Sequence, residues 1–125
     1  MRFASIGSGS RGNGTLVQAG NTLLLVDCGF TLKETELRLL KLGVSPDQLR
    51  AVLVTHEHGD HCNGVRVLAN RYGLPVYMTA GTARAKQLLD VVNIITIDSH
   101  AAFVIDDIEI QPVAVPATSQ STHRA

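Results

Sequence analysis

Thr55-His56-Glu57-His58-Gly59-Asp60-His61 places three of the chain's five histidines and one aspartate within six residues. Imidazole and carboxylate are ligand types suited to zinc and similar divalent ions. Four donors in one short loop crowd a single tetrahedral centre, because adjacent backbone geometry would strain the cage. The spacing better suits two neighbouring ions, with His56 and His58 facing one and Asp60 and His61 the other. Two ions about 3.5–4 Å apart can share a water, lower its pKa to about 7 and polarise a scissile oxygen. The chemistry implied is hydrolysis of an ester, amide or phosphodiester. Asp60 gains a second, catalytic role: it orients the attacking water or takes its proton. Glu57 occupies a spacer position and reads as a solvated side chain. One loop histidine alone would read the same way, but three with an aspartate at this spacing favour metal binding.

The elements around the motif must hold it in place. It follows the apolar run Ala51-Val52-Leu53-Val54-Thr55, a strand too apolar to face water on either side. A helix over 64–72 comes next, with Val65, Leu68 and Ala69 on one face and Gly73 as its stop. Ligand sites in open α/β sheets form at such carboxyl ends of strands. Further strands are expected at 3–6, 15–19, 22–27, 74–78, 94–97, 102–105 and 108–115. Gly20-Asn21 and Asp106-Asp107 supply hairpin turns. Thr31 caps a helix that Gly43 ends, with Glu34 completing a capping box and Leu32, Leu37, Leu40 and Leu39 as its apolar stripe. Pro46-Asp47 opens a one-turn connector, and a helix spans about 82–89. An antiparallel start followed by strand–helix alternation gives an α/β layered domain with buried central strands.

Composition narrows the function classes. The 125 residues are 45% hydrophobic and 18% charged, which excludes a disordered chain. No apolar run is long enough for a membrane span, so no membrane association is expected. The start lacks the pattern of a secretory signal. A net charge of zero gives no electrostatic footprint for nucleic acid, without excluding a local basic patch. Cys28 and Cys62 do not make a disulfide framework, so a reduced, cytoplasmic setting is the default. Cys28 reads as a small buried residue, and Cys62 as a soft ligand only against the odds. The polar stretch after Pro116 reads as a disordered tail over 117–125.

Other residues can serve the same site. Gly7-Ser8-Gly9-Ser10-Arg11-Gly12-Asn13-Gly14 is half glycine. Its backbone N–H groups, with Ser8, Ser10 and Asn13, could cradle a phosphate, or it could be a tight link between two strands. The Lys-Ser/Thr ending of a Walker-type loop is missing. Asp27, at a strand end, could hydrogen-bond a metal-binding histidine, or it could be a turn residue. Arg11, Arg66, Arg71 and Arg84 could contact phosphates, although each singly reads as ordinary surface.

His56-x-His58-x-Asp60-His61 after an apolar strand resembles the signature of metallo-β-lactamase-fold hydrolases. The segments 3–15, Asp27-Cys28-Gly29-Phe30 and Val76-Tyr77-Met78-Thr79-Ala80-Gly81-Thr82 resemble those of its YycJ/WalJ-like, exonuclease-related subgroup. The resemblance implies a partial αββα sandwich over 1–116, holding the first half and the start of the second. It implies two zinc ions, with manganese or iron as alternatives, a dinuclear-metal-activated water, and DNA or another phosphodiester as substrate. It also implies a further histidine, a bridging aspartate and a last histidine. The context for the first of these is Pro112-Val113-Ala114-Val115-Pro116, but Ala117-Thr118 follows where His-Asp is expected. His100 and His123 lack matching contexts. Two other readings therefore stand beside the nuclease: a catalytically weak or inactive metal-binding fragment, and a thioester or lactone hydrolase of the same superfamily. Replacing both His58 and Asp60 by Ala should abolish metal uptake measured by elemental analysis; unchanged occupancy would show the ligands to be misassigned.

Overall fold

Leu23-Leu24-Leu25-Val26 and Ala51-Val52-Leu53 are apolar at successive positions, so strands built from them need cover on both faces. The computed structural model describes residues 1–7, 14–54, 63–85, 90–98 and 100–111. In it these runs form β3 (Thr22–Val26) and β4 (Ala51–Leu53), the middle strands of a six-stranded sheet. The others are β1 (Arg2–Gly7), β2 (Gly14–Ala19), β5 (Val76–Met78) and β6 (Ile94–Thr96), and strand order follows chain order. β1, β2 and β3 pair antiparallel, whereas β3 to β6 pair parallel. Ala19 faces Thr22 across a two-residue turn in which Gly20 takes a φ of 61°, a conformation open to glycine at little cost.

Parallel neighbours require crossovers. These contain α1 (Leu32–Lys41), a 3-10 turn at Pro46–Gln48, α2 (Asn63–Tyr72) and α3 (Ala80–Ala85). Leu39, Val65, Leu68, Ala69 and Ala83 from the helices bury one sheet face with Leu25, Val52, Val76 and Met78. The other face, formed by Val17, Leu24, Ala51, Leu53 and Tyr77, is covered by a hairpin of β7 (Phe103–Ile105) and β8 (Ile108–Ile110). Ile105 and Ile108 point into that layer, and the Tyr77 and Phe103 rings stack with centroids 5.4 Å apart. The hairpin turn is latched by Asp106, which accepts from Thr22 Oγ1 at 3.0 Å and from Arg50 Nε at 3.3 Å. The result is the expected α/β layering, helix on sheet on hairpin.

Several local expectations need correction. β3 stops at Val26, because Asp27 adopts a left-handed φ of 61°. β4 stops at Leu53, although Val54 N–H still donates to Tyr77 O at 3.0 Å. α3 begins at Ala80 rather than Thr82, because Thr79 Oγ1 accepts from the Thr82 amide at 3.1 Å and caps the first turn. Residues 86–89 of the expected helix, and 112–115 of the last expected strand, lie outside the described residues. So does the expected tail over 117–125. Thr31 caps α1, its Oγ1 accepting from Glu34 N at 3.2 Å, but the Glu34 carboxylate turns to Arg38 Nε at 2.8 Å instead of back to the cap. The inward face of α1 is Thr35 and Leu39, four residues apart. Leu37 and Leu40 are 47% and 68% exposed, so they do not form the buried stripe. Among the described residues, no helix is long and apolar enough to cross a membrane.

Leu39→Ala should cost about 2–5 kcal/mol and Leu40→Ala no more than about 0.5 kcal/mol, read from urea unfolding at constant slope. The reverse order would contradict this orientation of α1.

Candidate metal centre

The candidate ligands His56, His58, Asp60 and His61 lie outside the described residues, as do Ser8, Ser10, Asn13 and Cys62. Both flanks of each segment are placed. Val54, buried at the carboxyl end of β4, leads into 55–62, and Asn63 opens α2. The register sets Leu53 beside Val26 on one side and Tyr77 on the other, with Met78 beside Thr96. The carboxyl ends of β3, β4, β5 and β6 therefore form one edge. Gly7 pairs with Gly14 and Thr15 with Val26, so the 8–13 link departs and returns at that same edge. The placed flanks of 8–13 and 55–62 thus lie with 27–30 at that edge.

Asp27 sits at their junction. Its amide donates to Leu53 O at 2.7 Å, which extends the parallel ladder one step beyond β3. Its left-handed φ then turns the chain off the sheet, a conformation in which aspartate is enriched. The next residues pack under α2. A Cβ on Gly64 would collide with the Phe30 carbonyl oxygen and stand 3.2 Å from Cys28 O, so glycine is what lets the first turn of α2 settle on this segment. A Cβ on Gly14 would come within 3.0 Å of Asp27 O. The 27–30 turn therefore touches Leu53 and Gly64, on either side of 55–62, and Gly14, which follows 8–13. Sequence reasoning took Gly64 only as the start of this helix; a glycine in the first turn of an otherwise apolar-patterned helix was the available signal for a close contact.

Cys28 is buried, as expected, with Sγ 3.2 Å from Thr35 Oγ1 and donating to Phe30 O at 3.9 Å. Burial pushes its thiol pKa up, and the nearby Asp27 charge adds to the rise. Phe30 packs its ring beneath the Arg38 guanidinium, 4.2 Å from the ring centroid. His100 is exposed, its amide donating to Asp98 Oδ1 at 2.8 Å. Arg66 pairs with Asp90 at 3.6 Å. Among the described residues, no three His, Cys, Asp or Glu side chains gather as a metal site. The three imidazoles of 55–62 and its Asp60 carboxylate remain the candidate donor set, and their chemistry fits a borderline-soft divalent ion.

The description "Metallo-beta-lactamase superfamily" matches residues 7–120, nearly the whole chain. The chain belongs to the metallo-beta-lactamase superfamily. Its members are metal-dependent hydrolases. The chain is 37% identical over 87 residues to the exodeoxyribonuclease WalJ of Streptococcus pneumoniae, covering 70% of this chain and 32% of that protein. It is 38% identical over 109 residues to the exodeoxyribonuclease YycJ of Bacillus anthracis, covering 87% of this chain and 40% of that one. The chain thus spans about a third to two fifths of the length of these curated relatives. The solved Rm3 metallo-beta-lactamase superposes with a TM-score of 0.69 at 17% identity, over 87% of this chain and 47% of that one. That likeness shows the fold, here its partial form.

A raised folded pKa for Cys28 means its contribution to stability is complete below the ordinary thiol range and is lost as pH rises through the folded value. The unfolding free energy of the wild type should therefore fall more steeply in alkali than that of Cys28→Ala. Parallel pH profiles would contradict the assignment.

Proposed function

We propose that this chain carries the first metal-binding motif of a phosphodiester hydrolase acting on DNA. The observation that supports the reading is that Gly7 and Gly14, which flank the glycine-serine link, and Val54, which precedes the histidine loop, lie with Asp27 at one sheet edge. The exodeoxyribonuclease names of two relatives support phosphodiester over other hydrolysable bonds.

His56, His58, Asp60 and His61 would hold two divalent ions, zinc by preference, with manganese or iron as alternatives. Such ions, when bound, would acidify water and offset charge on the scissile phosphate oxygen. Asp60 orients the attacking water and takes its proton. Asp27 hydrogen-bonds a ligating imidazole and fixes its tautomer. Backbone N–H groups of 8–13, with Ser8, Ser10 and Asn13, receive the substrate phosphate. The substrate is DNA, and the setting is the cytoplasm.

Ala117-Thr118 stands where the resemblance implies a further histidine ligand, so the 125-residue chain alone binds metal and turns over weakly. The test loads the chain with zinc or manganese and follows bis(4-nitrophenyl) phosphate, linear DNA and a thioester. We expect slow phosphodiester turnover above the metal-free baseline, lost in Asp60→Asn. Faster thioester than phosphodiester hydrolysis would overturn the substrate class. Two tightly bound metals with robust turnover would overturn the claim of weakness.

A further inference from the structure

Phe3 is 68% exposed, yet it ends a row of residues whose other members are buried. Phe3 faces Val17, Val17 faces Leu24 and Leu24 faces Ala51, so all four share one face of the sheet. Val17, Leu24 and Ala51 belong to the layer that the β7–β8 hairpin covers. That cover stops at β2. Among the described residues, β1 pairs with β2 alone, and its outer edge is free until Ile6, whose carbonyl accepts from Arg38 Nη1 at 2.6 Å. Exposed edge strands are normally guarded by proline, by charge or by a bulge. Residues 2–5 contain no proline, Arg2 is their only charge, and the register shift comes after Ser5. The opposite edge strand, β6, has three residues against the six of β1.

The register also fixes which main-chain groups of β1 are free. Ala19 and Thr22 close a two-residue turn, so they exchange both hydrogen bonds, and so do Val17 and Leu24 two steps along. Leu16 and Gln18 therefore turn their N–H and C=O toward β1, where they meet Ala4 and Arg2. The N–H and C=O of Phe3, between those two, point away from β2 to the open edge. Ser5 follows in step.

We propose that the outer edge of β1 is a docking surface for a second copy of this chain. The two β1 strands pair antiparallel about a two-fold axis at Phe3, the isologous arrangement that lets one patch meet itself. Each Phe3 gives its N–H to the other's carbonyl. Opposed residues share a face, so the two rings pack together on the hairpin side and extend the buried row across the axis. Arg2 meets Ala4 of the second copy, and no like charges face each other. Neighbouring registers are poorer. Centring on Arg2 opposes two guanidinium groups, and centring on Ala4 separates the rings and brings in Ile6, whose carbonyl is already engaged.

The test follows the full chain by sedimentation equilibrium over a range of concentrations. The wild type should show a monomer–dimer equilibrium. Phe3→Lys, which removes the ring pair and sets like charges opposite each other, should raise the dissociation constant about tenfold or more. Its far-ultraviolet circular dichroism should match the wild type, because the position is exposed in a single copy. Leu40→Ser, on the exposed face of α1, should change the constant by no more than about twofold. Phe3→Cys should cross-link two copies through position 3 under mild oxidation, located by peptide mapping, since directly paired Cα atoms come within disulfide range. Arg2→Cys, equally exposed, should not cross-link through position 2. A wild-type chain that stays monomeric throughout would overturn the proposal. So would association that survives Phe3→Lys but is lost in Leu40→Ser, which would put the interface on α1. Cross-linking through position 2 in preference to position 3 would overturn the pairing about Phe3.

Discussion

The hydrogen bond from the Asp27 amide to the Leu53 carbonyl, 2.7 Å long, ties the end of β3 to the end of β4 where the histidine loop begins. A single backbone hydrogen bond is worth about 1 kcal/mol net. Its importance here lies in direction. After it, the left-handed Asp27 sends the chain off the sheet, and the carbonyls of Cys28 and Phe30 become the surface on which Gly64 lands. Leu53 before the histidine loop and Gly64 after it are therefore both held by the same four-residue turn. A metal site needs this kind of support, because ligand side chains on a loop are only as well placed as the backbone that carries them.

The sheet makes that turn rigid. β3 and β4 are buried on both faces, by helices on one side and by the β7–β8 hairpin on the other. Isolated two-stranded hairpins are marginal in water. This one is fixed by its apolar layer and by Asp106, which reaches Thr22 and Arg50 at the end of the sheet opposite the histidine loop. Packing and latch are thus separated from chemistry along the strands. Substitutions at Asp106 bear on stability, and substitutions at the carboxyl edge bear on the site.

Much of this was legible in the residues. The donor set at 56–61 announces itself by type and spacing, without any fold. Continuous apolar runs marked the central strands, and glycine or aspartate pairs marked the turns. Less visible were features that depend on distant partners. Leucines at 32, 37, 39 and 40 surround α1, so its inward face was set by what β1 and α2 left open, and Leu39 with Thr35 won it. Arg38 is 32 residues from its Ile6 partner, and nothing local distinguishes it from other surface arginines. Gly64 was legible only as the start of a helix, and its fit against the Phe30 carbonyl depends on a distant segment. The Asp27-Cys28-Gly29-Phe30 segment was noticed by resemblance, but its contacts with Leu53, Gly14 and Gly64 follow only from the fold.

On the function proposed above, the loop between β4 and α2 binds divalent metal beside Asp27. Anomalous diffraction at the zinc edge, from crystals of the chain grown with zinc, tests it most directly. The expected result is anomalous density ligated by His58 and Asp60, with His56 and His61 completing the set and the Asp27 carboxylate hydrogen-bonded to one of the imidazoles. Zinc held instead at His100 or His123, with the 56–61 side chains uncoordinated, would contradict it.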